Sequence, residues 1–176
     1  YNDFEPLIAD DEVLLEFIHS PISLERFDVV ILPGSKLVIQ DLNWLKQNGL
    51  FEQLQQRTKA IFAICGGYEM LFQQLHDPHQ IENSQPTVAT GLGLINDDIH
   101  FAQDKILSKQ SYPIFGMQIE GFEMHHGISH KYPLYFQDKY IQGTFIHQIF
   151  DHNAFRTQYL TSICSDYQGC LLYTSD

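Results

Sequence analysis

The sequence predicts an open α/β fold of the flavodoxin-like kind, a mostly parallel sheet with helices on both faces. Two observations carry this. Apolar runs that read as strands alternate with helix-like segments along the first half of the chain. The runs DVVILPGS (28–35) and KAIFAIC (59–65) are continuously apolar, as in strands buried on both faces. With 176 residues, 44% of them hydrophobic, the chain can bury the core of one domain.

Taken in order, EVLLEFI (12–18) reads as a strand and DVVILPGS as a buried strand entering a glycine turn. VIQDLNWLKQNGLFEQLQQR (38–57) is helical and is broken at Gly49, a residue suited to follow a helix C-terminus. KAIFAIC is the next strand and GYEMLFQQL (67–75) the next helix. Pro78 and Pro86 mark a loop from Asp77 to Thr90. YPIFGMQIEGFEMH and KYIQGTFIH supply later strands, and NAFRTQYLTSI (153–163) closes as a helix. No internal repeat or low-complexity linker interrupts the pattern. GCLLYTSD (169–176) departs from it and reads as a non-native tail, leaving 1–168 as the domain.

Charge and cysteine usage narrow the function. A net charge of −12 makes nucleic acid and anionic membrane surfaces poor partners. No apolar run approaches the roughly 18 residues of a membrane span, and no signal-peptide pattern opens the chain. Cys65, Cys164 and Cys170 show no CxxC spacing, so neither a disulfide framework nor a thiolate metal site is indicated. A reducing cytoplasm is the expected location.

The chemistry concentrates at AIFAICGGYEML (60–71). Cys65 stands where a buried strand turns into a helix, and Gly66 and Gly67 permit a turn too tight for side chains. The helix N-terminus is expected to lower the thiol's pKa, and the amide of Gly66 to stabilise an oxyanion. Cys164, by contrast, reads as a core residue. A thiolate nucleophile needs a proton partner, and His147, ending YIQGTFIH at a strand's end, is the choice among nine histidines. His76 and His79 read as solvated loop residues, and His125 or His126 as lining the site. His126 and His130 have helical metal spacing, but Gly127 argues against a helix there, so no metal is assigned.

DFEPL, DVVILPGSKLVIQDLNWLKQNGL, AICGGYEML, DPHQIE, GLGLI, GFEMHHG and GTFIHQIFD occur in one order along residues 3–163. In that order they resemble the glutamine amidotransferase domain of the cobyric acid synthase family, whose first strand would lie upstream of Tyr1. The resemblance implies that Cys65 attacks the glutamine side-chain amide through a thioester, with His147 as general acid and base. It also implies oxyanion or substrate-binding roles for Gly34, Gly66, Glu69, Glu123 and His125. No cofactor is implied in this domain. ATP and Mg would belong to a synthetase domain preceding it in the same chain, which would amidate corrinoid carboxylates with the ammonia released. No Walker-type phosphate loop occurs in this chain.

Two positions depart from the wider glutaminase pattern. Where many relatives carry a Glu two residues after the histidine, this chain has Ile149, which implies a Cys65–His147 dyad with Asp151 or Glu123 as candidate orienters. Four residues after the cysteine, Glu69 replaces the usual Gln, and its charge is expected to oppose a thiolate nearby. The competing assignments are the glutaminase of cobyrinic acid a,c-diamide synthase or of lipid II amidation, a DJ-1/PfpI-type cysteine enzyme, and a degenerate glutaminase acting as a docking module.

Overall fold

The computed structural model describes residues 3–168. The expected tail at 169–176, with Cys170, lies outside the described residues.

Four strands form the sheet that positions the site. They are β1 (Val29–Leu32), β2 (Ala60–Ile64), β7 (Tyr135–Asp138) and β8 (Ile141–Thr144), ordered β1-β2-β8-β7. The β1–β2 and β2–β8 pairs are parallel, and β7 is antiparallel to β8. All five residues of β2 are buried, as the continuous apolar run requires. Its side chains alternate between two cores. Ile61 and Ala63 join the helices α2 (Val38–Gln47), α3 (Leu50–Gln56) and α4 (Gly66–Met70). Phe62 and Ile64 face α5 (Asn153–Ile163) through Phe155 and Tyr159. Helices therefore cover both faces, as expected.

Gly49 separates α2 from α3 with φ of 72°, the left-handed conformation a glycine tolerates at a helix end. The amino end of α2 has no cap from its own chain segment; Glu82 reaches across to accept from the Ile39 amide at 2.8 Å. Glu82 is itself delivered by a turn closed on buried Asp77, which accepts from the amides of Ile81 and Glu82.

A second sheet, ordered β4-β3-β5-β6, consists of β3 (Gln74–Asp77), β4 (Thr87–Thr90), β5 (Ile99–Ile114) and β6 (Met117–Ile128). Its long β5–β6 hairpin closes on Phe115 and Gly116, both at positive φ, a two-residue turn that matches strand twist.

Three sequence expectations need correction. EVLLEFI makes no strand. Val13, Leu15 and Ile18 pack inward, whereas Leu14 and Phe17 are 86% and 59% exposed, so the inward-facing positions break the period of two after Leu15 and the segment has no ladder partner among the described residues. The helix expected over 67–75 stops at Met70, because Gln74–Asp77 pairs with both β4 and β5. That pairing also turns the end of the 77–90 loop into β4. His76 consequently sits on a strand rather than in a solvated loop, while His79 is exposed as expected.

Candidate active site

Parallel pairing of β2 with β8 sets Ile64 beside Thr144, so the residues after both strands emerge at the same sheet edge. Cys65 follows directly, its amide bonded to the Thr144 carbonyl at 2.8 Å, and His147 follows three residues beyond Thr144. Cys65 adopts φ 50° and ψ −107°, a strained turn for a residue with a side chain. Gly67 makes that turn possible, since a Cβ there would stand 2.2 Å from the Leu32 carbonyl oxygen.

Gly34, in the loop after β1, lies against both groups. A Cβ on it would be 3.1 Å from Cε1 of His147 and 4.0 Å from Cβ of Cys65. Gly66 packs on Ser35 of the same loop. Gly34 and Lys36 are exposed while Cys65 and His147 are 5% and 1% exposed, so the LPGSK loop forms the rim over a buried pair. The two sequence-predicted catalytic residues and both predicted oxyanion glycines are thus brought together.

The thiol's electrostatics run against the sequence expectation. Burial pushes the Cys65 pKa up, and the Glu69 carboxyl adds to the rise; only the Gly66 amide pulls it down. The helix credited with stabilising a thiolate is a five-residue turn, too short to outweigh desolvation. A protonated sulfur agrees with the geometry, in which Sγ donates to the Met124 carbonyl at 3.5 Å.

The orienter of His147 is neither Asp151 nor Glu123. Asp3, 5% exposed and 144 residues distant in sequence, places Oδ2 at 2.9 Å from Nδ1 of His147. Its Oδ1 accepts from the Gln148 amide at 2.6 Å. A carboxylate on Nδ1 keeps the proton there and makes Nε2 the basic nitrogen. Behind the ring stands Phe122, stacked at 4.9 Å between centroids, and the Phe122 carbonyl accepts from the His147 amide. Gly121 admits this contact, because a Cβ would lie 2.5 Å from the His147 carbonyl oxygen. The only local signal for Asp3 was the acid of DFEPL, which nothing in the sequence ties to a histidine.

Glu123 and His125 enter as a second buried pair on β6. Nε2 of His125 lies 3.0 Å from Oε1 of Glu123, Nδ1 lies 2.7 Å from the Gly127 carbonyl, and the ring stacks on Phe145. They flank Met124, whose carbonyl receives the thiol, so they border the site.

Glu69 is buried against the same strand. It accepts from the Gly127 amide, and its Oε2 has no hydrogen-bond partner among the described residues. Burial, reinforced by the charge of Glu82, holds this carboxyl well above the usual range. Burial thus favours the protonated form of this carboxyl and weakens the charge expected from sequence. Cys164, expected in the core, is instead exposed at the end of α5. Among the described residues no helix is long and apolar enough to cross a membrane.

Several known proteins are similar to this chain. A chain described as a crystal structure of glutamine amidotransferase superposes with a TM-score of 0.65 at 11% identity, covering 92% of each chain, a likeness of fold alone. Cobyric acid synthase of Acinetobacter baylyi is 80% identical over 169 residues, covering 96% of this chain and 36% of the relative. Cobyric acid synthase of Saccharopolyspora erythraea is 32% identical over 181 residues, covering 91% and 34%. The chain thus spans about a third of the length of these curated relatives. The model of the CobB/CobQ-like glutamine amidotransferase domain matches residues 1–155, and the chain belongs to that family.

Proposed function

We propose that this domain hydrolyses glutamine with Cys65, His147 and Asp3 and supplies the ammonia to an ATP-dependent synthetase domain of the same longer protein. The observation that carries the reading is the convergence of a strained-turn cysteine, a carboxylate-held histidine and Gly34 at one sheet edge.

Because the resting sulfur is protonated, His147 first acts as a base. It takes the Cys65 proton as the sulfur attacks the glutamine amide carbon, forming the S–C bond. Negative charge passes to the amide oxygen, where the backbone N–H groups of Gly34 and Gly66 are the proposed donors; one such donor is worth about 3 kcal/mol in other enzymes. His147 then returns the proton to the nitrogen, the C–N bond breaks and ammonia leaves. Water, deprotonated by the same imidazole, opens the thioester to glutamate and restores the thiol. Asp3 holds the ring and balances the imidazolium formed in each half. Glu69 and the Glu123–His125 pair are the proposed surroundings of the glutamine. The names of the relatives support amidation of a corrinoid carboxylate in cobalamin synthesis, with ATP and Mg on the other domain.

The test exploits the two described cysteines. A glutamine-mimicking electrophile should label Cys65 in the protein, with labelling blocked by glutamine, while a general thiol reagent should reach exposed Cys164 first. Peptide mass spectrometry in which the glutamine mimic prefers Cys164 would overturn the assignment. Glutamine hydrolysis by the longer protein, with and without ATP and acceptor, separates an active glutaminase from a docking module.

A further inference from the structure

The solvent face of the second sheet holds a cluster that the chemistry above does not use. His76 on β3 and His100 on β5 are register partners in a parallel pair. Their neighbours Leu75 and Ile99 point into the core, so both imidazoles stand side by side on the outer face. The rings stack at 4.6 Å between centroids with planes 5° apart. Asp98, just before β5, places Oδ2 at 2.9 Å from Nε2 of His76, and its Oδ1 accepts from the Gln74 amide. One ligand atom from each of the three residues lies within 4.8 Å of the others, and the His130 ring is centred 6.0 Å from that of His100.

We propose that His76, Asp98 and His100 bind a divalent transition-metal ion of the zinc class that pins β3 to β5, with His130 placed to supply a fourth donor. Two imidazoles and one carboxylate are the donor set such ions accept. A simple ion pair accounts for less of the arrangement. Asp98 partners the His76 ring, and the His100 ring lies face to face with it without a carboxylate of its own among the described residues. Binding one ion with both imidazoles opens the stack, because the in-plane lone pairs of parallel rings run side by side and converge only when one ring turns. With bonds of about 2.0–2.1 Å, a tetrahedral ion sets its donors roughly 3.3 Å apart. The His76–Asp98 pair is already close to that spacing, and rotation of the exposed His100 ring closes the rest. The ion would join the strand that follows the cysteine-bearing turn to the one that leads into the site-bordering hairpin.

Zinc titrated into the protein against a chromophoric chelator should show one equivalent bound. His100→Ala should weaken it at least about tenfold, since even outer-shell changes at metal sites cost that much; Asp98→Asn should also weaken it, and His19→Ala should not. Imidazole nitrogen resonances of the unsubstituted protein provide a readout that does not depend on any variant folding. Zinc should move those of His76 and His100 and leave those of His19 in place. No binding above the chelator, equal binding in a His76→Ala/His100→Ala protein, or resonance shifts confined to other histidines would each overturn the proposal.

Discussion

Two buried histidines in this molecule have nearly the same surroundings and are suited to different work. His147 and His125 each touch a carboxylate oxygen at 2.9–3.0 Å, and each stacks on a phenylalanine ring. The difference lies in the other nitrogen. Nδ1 of His125 also meets an acceptor, the Gly127 carbonyl, so its hydrogen bonds are satisfied only with protons on both nitrogens or with one on Glu123. In either state no lone pair remains for a substrate. His147 meets its carboxylate through Nδ1, and its ring lies beside Gly34 and Cys65, where the proposed mechanism uses Nε2 as the base. Their carboxylates also differ in origin. Glu123 is two residues from His125 on one strand face, a local contact, while Asp3 comes from the far end of the chain. The lesson is that a buried histidine–carboxylate pair is not by itself a sign of catalysis, since in His125 both ring nitrogens are taken up by acceptors of the fold.

The largest test replaces each ring in turn. His147→Gln should lower kcat for glutamine hydrolysis by roughly 10³-fold, within the usual range for general acid–base groups. His125→Gln should change kcat by less than about tenfold and instead cost about 1–3 kcal/mol of stability, because one amide nitrogen cannot reach both Glu123 and the Gly127 carbonyl and leaves a buried acceptor unmet. Steady-state kinetics and denaturant unfolding on both variants decide it; comparable kcat losses would erase the distinction.

Exchanging the carboxylates should give a smaller separation. Asp3→Asn is expected to reduce kcat by about 10²-fold with KM changed little, because the imidazolium loses its counter-charge and the ring its fixed tautomer. Glu123→Gln should act on unfolding more than on kcat. A KM effect dominating in Asp3→Asn would assign that residue to substrate binding rather than to positioning.

Smaller again is the steric test at the rim. Gly34→Ala puts a methyl 3.1 Å from the His147 ring and nothing closer, so the ring must shift by a few tenths of an ångström. A kcat loss of about tenfold with little change in melting temperature is expected, since misplacement far smaller than an ångström already matters to proton transfer. Gly67→Ala, which meets backbone at 2.2 Å, should mainly destabilise the fold.

Glu69 gives the smallest effect and supplies a carboxyl without an imidazole. Its unfolded form ionises near 4.5, and its folded form well above that. Between those values the native state holds the extra proton, so stability is fully present below about 4.5 and is lost as pH rises through the folded value. Glu69→Gln should raise glutamine hydrolysis near neutrality or leave it unchanged, since it removes any charge the carboxyl retains beside Cys65. The difference in melting temperature should move in the variant's favour with rising pH. A flat difference would show that the carboxyl is ionised in the fold.

What the sequence determined by itself was whatever depends on neighbours along the chain. A continuous apolar run, a cysteine and two glycines specify the strand–turn–helix that strains Cys65, and α5 spans Asn153–Ile163, as its pattern predicted. His147 was readable as a strand-end residue, and the parallel register of β2 and β8 then had to bring it to the cysteine's edge. The tertiary structure decided what depends on distant partners. Gln74–Asp77 followed its strand neighbours rather than the helix before it, because ladder pairing outweighs a local pattern. Asp3 became the orienter because folding, not spacing, joins residues 144 apart. The upward pKa shifts of Cys65 and Glu69 arise the same way: desolvation at a buried site exceeds the local helix and hydrogen-bond effects that sequence can suggest, and desolvation exists only once the core has closed around them.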